Sequence, residues 1–427
     1  MSILVMKFGG TSVADAEKIR AAARRVVQAR SQGRQVVVVV SAMGDTTDRL
    51  TDLAGQIARN PSRREMDQLL ATGEQTTISL MAMALESMKV PAISFTASQI
   101  RIVTDEVHTQ ARIRHINTRR IHHELDAGRI VIVAGFQGVT EAGEITTLGR
   151  GGSNLTLVAL AAAMDANVCE NYTDVDGVYT ADPNIVPNAR KIERISYDEM
   201  MEMSSLGASV LHNRAVGFAK KYSVPIHVRS SLNNRKGTMI VKETEEMERI
   251  VVSGTALKKN LASISLINVP DRPGVAAGIF HAIAAANIIV DDIIQIETAA
   301  KRATISFTVD LHALTEVRRL CRRLCRQMEG ATVEFEKNLA KVSVVGLGMR
   351  VHTGVAERMF AALAEGGVNI RNITTSEIKI SCIIDRSDGP KALRLVHDAF
   401  ELGKKKKTAP ETVKKKKTKK KTASKKR

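Results

Sequence analysis

ILVMKFGGTSVADAEKIRAAARRVVQARSQGRQVVVVVS, Ile3–Ser41, is the stretch that decides the fold. Ile3–Phe8 is a short apolar run, Ala14–Ser31 carries apolar residues at helical spacing, and Gln35–Ser41 contains five consecutive valines. Strand, helix, strand in that order is a βαβ unit, which implies parallel pairing. Val36–Val40 is apolar at every position, as suits a strand covered on both faces, and Arg129–Val133 and Val168–Asn171 repeat the pattern. Between these two, Ser153–Asp165 (SNLTLVALAAAMD) reads as an Ala-rich helix with small residues all round, hence a buried one. The expectation is an α/β unit with a mainly parallel central sheet over residues 1–228, ending at the strand-like Pro225–Arg229. A linker over 229–260 follows, containing the turn-rich Ser230–Gly237 and the charged Glu243–Arg249.

The second half repeats itself. Pro273-Gly274-Val275-Ala276 with Phe280 and Ala282 matches Thr353-Gly354-Val355-Ala356 with Phe360 and Ala362, and Asn287-Ile288 matches Asn369-Ile370. The first copy reads as strand Ala262–Asn268, helix Gly274–Ala286, strands Ile289–Ile296 and Ala303–Val309, helix Thr315–Met328, and strand Val333–Phe335. That order is a ferredoxin-like α+β sandwich, so two such modules are expected, over 261–338 and 339–403.

The chain has 427 residues, long enough for several domains and a substantial core, which excludes a small disulfide- or metal-stapled fold. Aromatic residues are only 3% and Trp is absent, which argues against base-stacking nucleic-acid modules. The formal charge of +18 is concentrated: residues 404–427 carry 14 Lys/Arg and one Glu, +13 in all, leaving +5 for the rest. The basicity therefore belongs to a Lys-rich tail, expected to be disordered and at most loosely attracted to polyanions. Cys169, Cys321, Cys325 and Cys382 form no CxxC pair and read as reduced thiols. Lys7 and Gly9-Gly10 interrupt the N-terminus before a signal core could form, and no run of 18 apolar residues occurs. The expectation is a cytoplasmic protein without membrane contact.

Three motifs carry chemistry. KFGGTSV (Lys7–Val13) ends a strand and opens a helix; paired glycines let backbone N–H groups approach a phosphate, and Lys7 supplies a full charge. TLGRGGSN (Thr147–Asn154) holds Arg150 among glycines before a helix, a placement suited to bidentate recognition of a carboxylate. NYTDVDGVYTADP (Asn171–Pro183) follows a buried strand and carries two of the chain's four tyrosines; it lacks the ligand ladder of a calcium loop.

Together these motifs, with SAMGDTTDRL (Ser41–Leu50), LLATGEQ (Leu69–Gln75), VPIHVRSS (Val224–Ser231) and the tandem repeat, resemble those of aspartate kinases of the amino-acid-kinase fold with paired ACT regulatory domains. The resemblance covers about 1–403 and implies ATP-dependent phosphorylation of the L-aspartate β-carboxylate, the first step toward lysine, threonine and methionine, with Mg²⁺ bridging phosphate oxygens. It implies that Lys7, Phe8, Gly9, Gly10, Thr173, Asp174, Tyr179 and Asn184 hold ATP. Ser41, Thr47, Glu74, Arg150, Gly151 and Ser153 would hold aspartate, with Glu74 on its ammonium and Arg150 on a carboxylate; Lys7 and Arg150 would be catalytic. An inhibitory amino acid, lysine or threonine or both, would bind at Asp271, Gly274 and Gln295 in the first ACT module and at Asn369, Ile370 and Thr375 in the second. A homo-oligomer formed through the ACT modules is implied, and Met247 is placed to start a separately made regulatory half.

The sequence departs from the family pattern at Asn154, where Asp is usual, at Asn184, where Arg is usual, and at Ser209, where Lys is usual. Ile296 follows Gln295 where an amide is frequent. Lys191 or Arg190 could replace the missing cations. A kinase for another carboxylate or a carbamate, and a catalytically impaired amino-acid sensor, are the alternatives these departures leave open.

Overall fold

A computed structural model describes residues 2–207, 210–298 and 301–404. The expectations for Ser209 and for the tail beyond Lys404 fall outside the described residues.

The first sheet contains β1 (Ile3–Phe8), β2 (Gln35–Val40), β3 (Ala92–Phe95), β4 (Ile130–Ala134), β5 (Cys169–Thr173), β6 (Arg194–Ser196), β7 (Ile226–Ser230) and β8 (Thr238–Val241). Its order is β6-β8-β7-β5-β1-β2-β4-β3. Every pairing is parallel except β7 with β8. The chain starts in the middle at β1, works outward through β2, β4 and β3, and fills the other side with β5 and its neighbours. The reversal lies between β1 and β5, and ligands of open α/β sheets bind outside the strand carboxyl ends at such a point.

Two layers of helices cover the sheet; in chain order the first five helices are α1 (Ala16–Ser31), α2 (Thr46–Ile57), α3 (Arg63–Ser87), α4 (Arg119–Asp126) and α5 (Gly152–Ala163). α1 (Ala16–Ser31) is capped by Asp15, which accepts from Lys18 N, and buries Ile19, Ala22, Ala23 and Val26. It shares one core with α3 (Arg63–Ser87) and with Leu4, Met6, Phe8 and the even-numbered valines of β2. The opposite face, with Val5, Val37 and Val39, packs on α5 (Gly152–Ala163), which is buried on nearly all sides as its small residues require. A second, four-stranded sheet of short strands, Ile102–Thr104, Ile113–Ile116, Gln137–Val139 and Ile145–Thr147, stands beside the main one.

The regulatory half forms one six-stranded sheet. It comprises β9 (Gly254–Pro270), β10 (Asp291–Thr298), β11 (Arg302–Asp310), β12 (Thr332–Val345), β13 (Asn372–Ser376) and β14 (Lys379–Asp385), ordered β10-β11-β9-β12-β14-β13. Helices at Val275–Ala285 and Leu314–Arg326 cover the first module, and Val355–Glu365 and Gly389–Ala399 the second.

The boundaries differ from the expectation at two places. The parallel sheet continues past 228 through β8, because the main-chain groups of β7 need a partner on their outer side and Thr238–Val241 supplies it. Residues 229–260 are therefore not a plain linker. Their last part, Gly254–Lys258, pairs with Lys341–Val345 and completes the second module's sheet from the wrong end of the chain. The second module's sheet takes its fourth strand from this segment, which precedes the first module in the chain. The first module is thus inserted within the second.

Candidate active site

β1 delivers Lys7 to the carboxyl end of the sheet. The side chain is only 7% exposed and makes no hydrogen bond or ion pair among the described residues. Burial pulls its pKa down to about 8, with Asp174 acting weakly in the other direction. A Cβ at Gly9 would stand 3.3 Å from the Lys7 Nζ, so glycine there keeps the approach to the ammonium open. Gly10 begins a short 3-10 turn, Gly10–Val13, and its carbonyl accepts from Gly44 N at 3.1 Å. Phe8 is different from its neighbours. Its ring is fully buried on the other face of the sheet and stacks on Tyr172 with 4.8 Å between centroids. Strand alternation therefore leaves its backbone, and not its ring, on the Lys7 side of the strand.

Glu74 comes from α3, whose buried face repeats as Asp67, Ala71, Glu74, Ile78, Met81 and Leu85. The carboxylate accepts from Ala42 N at 2.9 Å through Oε1, while the buried Oε2 has no partner. Burial pushes its pKa up to about 7. The neighbouring Ser41 and, in the first turn of the Thr46–Ile57 helix, Thr47 are half-buried.

Arg150 lies on an exposed turn and has no ion pair among the described residues. The turn itself is tightly held. Gly151 takes φ 75°, and a Cβ there would sit 2.3 Å from that of His212, so the site requires glycine twice over. Ser153, 9% exposed, packs in the first turn of α5 against Gly135. In the same turn, Asn154 buries an Oδ1 that has no partner.

Two residues that sequence reasoning missed support this turn. Asp67 is completely buried; it accepts from Thr109 N at 3.0 Å and from the Thr147 hydroxyl, and pairs with His108 Nδ1 at 2.7 Å. Arg214 donates to the carbonyls of Leu148 and Ala111. Asp67 was findable, because an acid one helical stripe from Glu74 among buried apolar positions must have partners. Asp67→Ala is expected to lower stability by about 3 kcal/mol, since several donors lose a charged acceptor. Urea denaturation reads this directly, and an unchanged midpoint would remove Asp67 from the support.

The third motif opens a cavity of about 700 Å³ lined by Thr173, Asp174, Gly177, Tyr179, Asp182 and Asn184, together with Thr255–Asn260 of β9. Four of the expected nucleotide residues therefore share one wall. Thr173 donates its hydroxyl to Asp174 at 3.0 Å, and Tyr179 donates to Asp176. Asn184 turns its amide back onto Asp182 at 3.0 Å. Lys191 is engaged by Asp176 and the Lys236 carbonyl, and Arg190 by the Leu402 carbonyl. Cations on the cavity are instead Lys258, 3.0 Å from Asp310, and the exposed Lys259.

In the first regulatory module, Asp271, Gly274 and Gln295 line a cavity of about 430 Å³, with Gln295 donating to Asp271 at 3.3 Å. In the second, Asn369 is exposed, Ile370 packs against the module's core, and Thr375 lies exposed on the edge strand β13.

Comparison with known proteins fits this geometry. The amino acid kinase family model matches residues 2–230, and two ACT domain models match 263–320 and 342–400. The chain belongs to the amino acid kinase family. Its relatives there are aspartokinases: it is 50% identical to the aspartokinase of Geobacillus stearothermophilus over 404 residues, covering 95% of this chain and 98% of that one. It is 49% identical to aspartate kinase Ask_LysC of Stutzerimonas stutzeri, covering 94% of this chain and 98% of the relative. Among solved structures, E. coli aspartokinase III in complex with aspartate and ADP aligns with a TM-score of 0.76 at 27% identity, covering 93% of this chain and 99% of that one.

Proposed function

We propose that this chain transfers the γ-phosphoryl group of ATP to the β-carboxylate of L-aspartate and that an amino acid bound at its ACT modules regulates the transfer. The observation that carries the reading is the largely buried Lys7 side chain, without an ion pair among the described residues, at the reversal of the parallel sheet, where Asp174 of the neighbouring cavity is close enough to act on it. Phosphoryl transfer depends on positioning and charge stabilisation more than on covalent help from the protein. The acceptor carboxylate is already anionic at neutral pH, so no base is required.

The nucleotide takes the cavity lined by Thr173, Asp174, Tyr179 and Asn184, and Lys7 with the Gly9-Gly10 backbone meets its terminal phosphate. Glu74 receives the α-ammonium of aspartate through the unpartnered Oε2, and Arg150 binds a carboxylate, with Ser41, Thr47, Gly151 and Ser153 around it. Among the described residues no group of three or more His, Cys, Asp or Glu forms a metal cage. A Mg²⁺ ion that arrives on the phosphates needs only one or two protein carboxylates, and Asp174, exposed at the cavity, fits that part. Such an ion would neutralise phosphate charge.

The lysine or threonine effector is assigned to the Asp271–Gly274–Gln295 cavity and to the Asn369, Ile370 and Thr375 region. One solved relative was crystallised in complex with lysine and aspartate. Assembly into a homo-oligomer through the ACT modules and a cytoplasmic location complete the reading; no helix among the described residues is long and apolar enough to cross a membrane.

The test is the formation of aspartyl hydroxamate from ATP, aspartate and hydroxylamine, with and without lysine and threonine. Turnover of glutamate or a carbamate alone would move the activity to another acceptor. Amino-acid binding without turnover would leave a sensor.

A further inference from the structure

Lys7 on β1 and Asn171 on β5 are register partners, directly opposite each other across the point where the strand order reverses. Paired residues of neighbouring parallel strands point to the same face, and strands lie about 4.8 Å apart. That face is the one covered by α5, since Val5 and Cys169, two residues earlier on each strand, belong to the core α5 completes. Asn171 is 1% exposed, and neither its Oδ1 nor its Nδ2 has a hydrogen-bond partner. The Asn154 Oδ1, in the first turn of α5, is buried and unpartnered as well.

An apolar residue at 171 would pack between Lys7 and Val228 without any such penalty. Buried amides almost always find partners, so one that has none, on the strand position paired with Lys7, marks a place completed by a ligand. We propose that Asn171 is a further catalytic residue. Its Nδ2 donates to an oxygen of the transferring phosphoryl group, while its Oδ1 accepts from Lys7 Nζ and holds the ammonium in line. Both amide functions are then satisfied when the terminal phosphate is present. The assignment rests on the phosphotransfer reading above and adds to it a donor that the motifs did not reveal.

The experiment compares the wild-type chain with Asn171→Leu and Asn171→Ala. Each variant is expected to lose about 30-fold or more in kcat, as when one donor to a transition-state oxygen is removed, with the KM for aspartate within twofold. Affinity for a non-hydrolysable ATP analogue should fall while that for ADP stays the same, because only the terminal phosphate meets the amide. The Tm of Asn171→Leu should equal or exceed that of the wild type. A kcat within twofold of wild type, equal weakening of ADP and the ATP analogue, or a lowered Tm in Asn171→Leu would each overturn the assignment. An inert wild-type chain would sink the phosphotransfer reading itself, whereas an active wild type with equally active variants sinks only the role of Asn171.

Discussion

Lys7→Met is expected to reduce kcat by about 100- to 1,000-fold while making the protein more stable at pH 7. The first effect follows from removing the positive charge at the carboxyl end of β1 from a reaction that moves a highly charged group. The second follows from burial. A lysine only 7% exposed, with no hydrogen bond among the described residues, is held in the fold against its hydration preference, and burial lowers its pKa to about 8. The folded pKa lies below the unfolded value of about 10.5, so this group favours the folded state only when neutral. Stability is free of the penalty above about 10.5, falls as pH drops through 8, and below that carries the full cost of about 3 kcal/mol. The advantage of Lys7→Met should therefore be complete at pH 7 and shrink between pH 8 and 10. Urea titrations of both proteins at pH 7 and pH 9.5 measure it. Undiminished turnover would mean that the phosphate is held elsewhere.

Glu74→Gln should raise the KM for aspartate by about 100-fold, the scale of losing one charge from a buried pair. It should also remove the acidic limb of the kcat/KM profile. With Glu74 near pKa 7 and Lys7 near 8, the free enzyme offers its best combination of carboxylate and ammonium in a narrow window between those values. Glutamine cannot titrate, so activity that remains should no longer fall as pH drops through 7. The stability sign is opposite to that of Lys7. A carboxyl whose pKa is raised on folding stabilises fully below its unfolded value of about 4.5, and loses that contribution as pH rises through 7. Glu74→Gln should accordingly gain stability over wild type at pH 8 and nothing at pH 4. A profile with no inflection near 7 in the wild type would take the substrate ammonium away from Glu74.

The parallel sheet was legible because its strands are local: five valines in a row need no knowledge of their partners. Lys7, Gly9 and Gly10 were legible for the same reason, as was the wall made by Thr173, Asp174, Tyr179 and Asn184, all within one short stretch. What escaped was non-local. Gly254–Lys258 becomes a strand only because Lys341–Val345, far along the chain, offers an edge, and its own residues show no alternation to announce it. Thr238–Val241 is similar, being too short to register outside the sheet it completes. Asn171 is not legible as a site residue, because sequence shows neither that its neighbour across the strand is Lys7 nor that its amide lacks a partner within the fold.

β9 belongs to two cavities at once. Thr255–Asn260 form part of the wall near Asp174, and Val269 and Pro270, about 30 Å further on at a strand's ~3.3 Å rise, form part of the wall near Gln295. Its ladder shifts register near Lys258, Leu261 and Val269, where such irregularities bend and twist a strand. A single backbone serving as a common beam makes the two compartments thermodynamic bookends. Whatever factor an occupant of one imposes on the other must be returned in full, so ATP should alter effector affinity by the same ratio that the effector alters that of ATP.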